Sequence, residues 1–180
     1  MSSGLRLMGL VESVRIQAVL LLSVSLVSCV PAFTAADEGA DPLNGVLVGV
    51  ILFVVMFFSY LKARRPWYET RLEQLAPPPP TAETVARDKT FDLLSRGLTV
   101  PLLLVLAIGL AASYATGTPI GMFLAGVAAA MLWQSRWLAA EQERLGGRVL
   151  CLHTPLHVAA DDPNRAAYVQ SRFWIDRPAS

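Results

Sequence analysis

The residues best equipped for chemistry cluster near the C-terminal end. The only two histidines, His153 and His157, follow Cys151 and precede Asp161 and Asp162. A Cys-x-His-x3-His run offers one thiolate and two imidazoles, with Asp161 as a carboxylate fourth ligand, and this donor set suits zinc. In an extended strand Cys151 and His153 share one face. Pro155 interrupts the run, and the spacing fits no standard zinc finger. Solvent-facing histidines are the simpler explanation, so no cofactor is expected; the exception would be zinc held by Cys151, His153, His157 and Asp161. Read as a Cys-His nucleophile pair, the same residues lack any identifiable oxyanion donor or orienting group.

A second cysteine sits in Leu26-Val27-Ser28-Cys29. The tetrapeptide resembles the lipobox of bacterial lipoproteins, in which a Cys behind a small residue is acylated after cleavage. The apolar run at residues 16–27, preceded by Arg6 and Arg15, has the length of a signal h-region. Three features depart from that pattern: the long leading segment, Glu12 within it, and apolar Val30-Pro31 after the Cys. The competing reading of Cys29 is a free thiol buried in a membrane helix.

These candidates must be positioned by a chain of 180 residues, 54% of them hydrophobic and only 16% charged. Soluble domains carry about a quarter charged residues, and the mean hydropathy here is +0.48. The composition excludes a disordered chain, and two Cys exclude a disulfide-stapled domain. A net charge of +1 excludes a basic nucleic-acid binder, so no nucleic-acid partner is expected. A membrane helix needs about 20 apolar residues. Residues 16–36, 43–61, 97–115 and 118–133 qualify and contain no Asp, Glu, Lys, Arg or His. All 15 Lys and Arg fall before, between or after the two pairs of spans, whereas the loop joining the first two carries Asp37, Glu38 and Asp41. Basic residues favour the cytoplasmic side, which predicts four crossings with both termini inside.

The expected fold is therefore an all-α integral membrane protein, with four transmembrane helices as two tandem hairpins. Residues 1–61 form the first hairpin, 62–96 a cytoplasmic loop, 97–145 the second hairpin with a helical extension, and 146–180 a cytoplasmic tail. A weak internal repeat supports the pairing: Phe53, Trp67, Glu73 and Leu75 recur as Phe123, Trp137, Glu143 and Leu145. Within the loop, Pro66 is expected to open a new helix. Pro77-Pro78-Pro79-Pro80 reads as a stiff spacer outside any packed core, and Thr81 as the N-cap of an amphipathic helix entering the third span. In the tail, the fourth helix stops at Gly146-Gly147. Val149-Leu150-Cys151-Leu152 and residues 167–175 then read as a small β-hairpin around an Asp-Asp-Pro-Asn turn.

Proton relays, ion pumps and voltage sensors need ionisable groups within the bilayer, and these spans offer none. No enzymatic activity is expected. Gly45 and Gly49 in the second span, and Gly126 and Ala130 in the fourth, form small-residue faces for helix packing. An isolated hairpin is marginal in water, so Tyr168, Phe173 and Trp174 are expected to dock on a partner. The 13 Arg against 2 Lys suggest a GC-rich bacterial gene, and hence the bacterial plasma membrane. The expectation is a non-catalytic accessory or structural subunit of a larger membrane complex. It would contact other membrane-protein subunits and the lipid bilayer, and could form a homo-oligomer. The alternative is a homo-oligomeric channel or carrier for an uncharged or lipid-like solute.

Overall fold

A computed structural model describes residues 5–34, 42–154 and 165–177. The chain starts with strand β1 (Arg6–Gly9) and passes directly into helix α1 (Leu10–Thr34). Helix α2 (Pro42–Glu73), strand β2 (Glu83–Thr84) and helix α3 (Arg87–Thr116) follow. Helix α4 (Gly121–Arg144), strand β3 (Arg148–Leu152), the short helix α5 (Arg165–Gln170) and strand β4 (Phe173–Asp176) complete it.

Three helices, α1, α2 and α3, are long and apolar enough to cross a membrane. Helix α4 falls short on composition because Gly and Ala make up half of its first twelve residues and Gln134, Ser135 and Arg136 follow. At about 1.5 Å per residue, the 32 residues of α2 span about 48 Å, well beyond the roughly 30 Å of hydrocarbon. The charged turns from Lys62 onward are the surplus over that thickness. Pro66 lies inside this continuous helix instead of opening a new one.

Helices adjacent in sequence are not adjacent in space. Helix α1 packs between α3 and α4, and α2 packs on α4, while α3 and α4 scarcely touch. The arrangement across the bundle is α2-α4-α1-α3, not two tandem hairpins. The seams explain why. A Cβ on Gly121 would collide with the Ser25 carbonyl, and one on Gly126 with the Phe53 carbonyl. A Cβ on Gly109 would lie 2.8 Å from Ser28 Cβ. Helix α4 thus has one glycine for each neighbour, and α1 is approached by glycines from both sides. Where the hydrophobic effect is absent, such close backbone approach is what favours association.

The three cation-bearing stretches of the sequence, before, between and after the pairs of spans, contribute to one sheet at one end of the bundle. Its order is β2-β1-β3-β4, with β1 parallel to β2 and antiparallel to β3, and β3 antiparallel to β4. Leu7 pairs with Leu152, and Leu150 with Trp174. Residues alternate between faces along a strand. Val149 and Phe173 accordingly join Leu10, Val11, Val14, Tyr68 and Leu138 in the core beneath the sheet. Leu7, Leu150 and Trp174 form a second core on the opposite face.

Three expectations change here. The β3–β4 pair is not a free hairpin: β1 and β2 extend it, and part of the stretch expected as strand is helix α5. The Asp-Asp-Pro-Asn turn lies outside the described residues. Helix α3 begins at Arg87, with Ala86 in the N-cap position and no side-chain cap; Thr81 instead precedes β2. The polyproline run is part of the cap. Ile175 N donates to Ala76 O (3.0 Å) at the β4 edge, and Glu83 N donates to Leu5 O (2.8 Å) beside β1. Between these two bonds residues 77–79 run in neither helix nor strand, and a turn closed by Ala82 N donating to Pro79 O (3.0 Å) returns the chain to β2. The run therefore straps the sheet edge to edge, over the face where Ala82 covers Leu7, Leu150 and Trp174.

Candidate functional site at the junction of sheet and bundle

Where the sheet meets the helices, side chains from β1, α1, α3 and the end of β3 enclose a cavity of about 540 Å³. Its polar wall comprises Ser13 and Gln17 from α1, Arg96 from α3, and His153 and Thr154 after β3. Its apolar wall comprises Met8, Leu94, Leu98 and Leu152. Gly97 also lines it, and a Cβ there would meet nothing within 4 Å. A smaller cavity of about 200 Å³ shares Ser13, Gln17 and Thr154 and continues to Tyr68, Cys151 and Phe173.

An ion-pair knot fixes this geometry. Glu12, in the first turn of α1, forms an ion pair with Arg87, 2.8 Å from its Nε, and lies 3.8 Å from Arg148 Nη2. The start of α1, the start of α3 and strand β3 are tied together at one carboxylate. Glu12 is also well placed near the positive end of the α1 dipole.

The aromatic tail residues face inward. Phe173 is 5% exposed and Trp174 is 7% exposed. Phe173 lies edge-on to Trp67 at 5.5 Å and stacks on Tyr68 at 6.0 Å. Arg64 and Arg71 cover the Trp67 ring at 5.4 and 5.2 Å, and Arg71 Nη1 donates to Ser171 O at 2.9 Å. Phe173 holds the cap onto α2 and Trp174 packs on Leu7 and Leu150 across the sheet, so neither ring projects outward. Tyr168, on α5, is half-buried.

The expected ligand set is divided. Cys151 lines the smaller cavity and His153 the larger. His157 and Asp161 lie outside the described residues. Among the described residues no group of three His, Cys, Asp or Glu is placed to hold a metal. Burial pushes the Cys151 thiol up to about 12, with Ser13 opposing. Such a thiol is neither a ready thiolate ligand nor a nucleophile. Burial, and then Arg6, lower the His153 pKa, which keeps its imidazole neutral near pH 7.

The small-residue positions all meet neighbours within the chain. Gly45 faces the Gly117 carbonyl, Gly49 faces Pro119 and Met122, Gly126 faces Phe53, and Ala130 is fully buried. Cys29 is buried against the Pro119 carbonyl. Cleavage ahead of it would remove β1 and most of α1, the pieces that join sheet to bundle.

Sequence reasoning passed over Ser13, Gln17, Arg96 and Thr154. A usable signal was present at Arg96-Gly97, where the last cation of the central loop directly precedes an uncharged apolar run. Compared with models of protein families, with curated proteins and with solved structures, the chain matches none.

Proposed function

We propose that this chain is a non-catalytic structural or accessory subunit of a larger bacterial plasma-membrane complex, crossing the bilayer four times with both termini cytoplasmic. The observation that carries this reading is the contrast between α2's single seam and its outer surface. Helix α2 packs on α4, and Leu47, Val50, Val54 and Phe58 remain exposed along its length. A helix whose apolar stretch is held on one side only is suited to lateral contact with another membrane subunit through its free face. The docking surface is accordingly this helix face, with Tyr168, Phe173 and Trp174 serving the cap behind it.

The fourth crossing is supported by the α1–α4 seam. Gly121 sits at Ser25 and Cys29, and Arg15 Nε donates to Ser135 at 3.4 Å, so α4 runs back along α1 toward the cap. Its 24 residues reach about 36 Å, enough for the hydrocarbon. The orientation follows from the basic residues gathered around the sheet.

The test is native mass spectrometry of the full chain, extracted in mild detergent from its own membrane. A stable complex with other chains is expected, and Val50→Trp with Val54→Trp on α2 should release them. The chain alone, or only a symmetric multimer, overturns the subunit reading and directs attention to solute flux in liposomes.

A further inference from the structure

We infer that the larger cavity at the junction of α1, α3 and the sheet is a binding site for one anionic phospholipid, whose phosphate is held by Arg96. The cavity lies at the level where the polar cap gives way to apolar helices. Arg96 ends the charged segment, and the next charged residue along the chain is Arg136. A phospholipid phosphate occupies this same level of a bilayer, where basic side chains attract anionic headgroups.

The two walls match the two halves of such a lipid. Arg96, Gln17, Thr154 and neutral His153 supply hydrogen-bonding groups from the cap side. Leu94, Leu98 and Leu152 supply the apolar wall. Arg96 makes no ion pair among the described residues, although Glu12, Glu69, Glu83 and Glu141 all do. A guanidinium binds phosphate oxygens through a planar fork of donors. None of the described residues lining the cavity is a carboxylate, so none of them would pair with a choline or ethanolamine ammonium. That absence among the lining residues sets the preference for a lipid with net negative charge. A volume of about 540 Å³ is within the range of small-ligand sites, about 300–1,000 Å³, and suits a headgroup with its glycerol. Gly97 widens the site, since a side chain there would grow into the open space.

The experiment uses the full chain in detergent, titrated with dioleoylphosphatidylglycerol or dioleoylphosphatidylcholine and read by native mass spectrometry. One phosphatidylglycerol per chain is expected, bound about tenfold more tightly than phosphatidylcholine, the scale of one charge-assisted contact. Arg96→Gln removes the cation from an exposed position and should erase that preference. Gly97→Phe fills the cavity and should abolish retention of the lipid, with Gly97→Ala as the check that the helix tolerates a side chain. Arg64→Gln, on the far side of the cap, should bind as the parent does. If Gly97→Phe does not fold, Arg96→Gln decides alone. Equal binding of both lipids, or phosphatidylglycerol binding unchanged in Arg96→Gln, overturns the site. Displacement of the lipid by equimolar glycerol phosphate also overturns it, because the cavity would then recognise a free phosphate ester.

Discussion

In the bundle the closest approaches are made by residues with almost no side chain, whereas in the cap they are made by some of the largest. Gly109, Gly121 and Gly126 let α1, α4 and their neighbours meet backbone to backbone. In the cap, Trp67, Tyr68, Phe173 and Trp174 close the sheet onto α2 and onto the proline strap. The surroundings of each region explain the difference. Lipid tails are as apolar as leucine, so helices gain little by burying large side chains and much by close fit. Water around the cap makes every buried ring favourable, at about 25 cal/mol per Å² removed from solvent.

The largest expected effect is on the cap. Trp174→Ala should cost about 4 kcal/mol, the scale for emptying a buried aromatic position. Because Trp174 lies on the face away from the bundle, its loss should open the tail to protease while helicity in detergent is retained. Simultaneous loss of helicity would show that cap and bundle unfold as one unit.

Next comes the opposite change in the bundle. Gly126→Leu forces a side chain against the Phe53 backbone and should cost about 3 kcal/mol, the upper end for overpacking. Thermal unfolding in detergent measures it, with tail proteolysis expected to stay slow. An unchanged melting temperature would mean that the α2–α4 seam is looser than its geometry.

Solution pH sharpens the contrast within the cap alone. The folded Cys151 thiol sits near 12, above the roughly 8.5 of a free thiol. Its stabilising contribution is therefore complete below about pH 8.5 and is lost as pH rises toward 12, because the unfolded chain ionises first. His153 has the opposite sign: its folded pKa lies below the ordinary value of about 6.5, so its contribution is present above that pH and lost as pH falls. Cys151→Ala should flatten the alkaline limb of a stability-pH curve and leave the acid limb intact, whereas His153→Gln should do the reverse. A thiol reagent at pH 8 should label Cys151 much more slowly in the folded chain than after denaturation.

The smallest effect is a gain. Gly97→Ala adds a Cβ in open space within a helix and should raise stability by about 0.5–1 kcal/mol. Set beside Gly126→Leu, it separates a glycine that serves a seam from one that leaves a cavity.

Much of the membrane part was legible in the residues. Apolar length identified α1, α2 and α3, and the Gly146 stop after α4 was readable, its φ of +64° being one that glycine adopts freely. The cap was not legible. β1 is four residues and β2 only two, too short for any alternation to declare a strand. From sequence alone Trp174 reads as a docking anchor, because nothing near it in the chain could bury it. Its covers are Leu7 and Leu150, brought beside it by pairing between distant segments. The candidate cavity was hidden for the same reason, since Gln17, Arg96 and Thr154 come from three separate stretches.

The amino-acid sequence by itself determined which segments are apolar enough to leave water and that every cation lies outside them. Those are sums over contiguous residues, and solvation free energy depends on little else. The tertiary structure alone decided that α1 sits between α3 and α4, that four short strands close one sheet, and that a proline run straps it. Each depends on shape: which glycine meets which carbonyl, and which strand edges the chain on either side of the prolines bonds to.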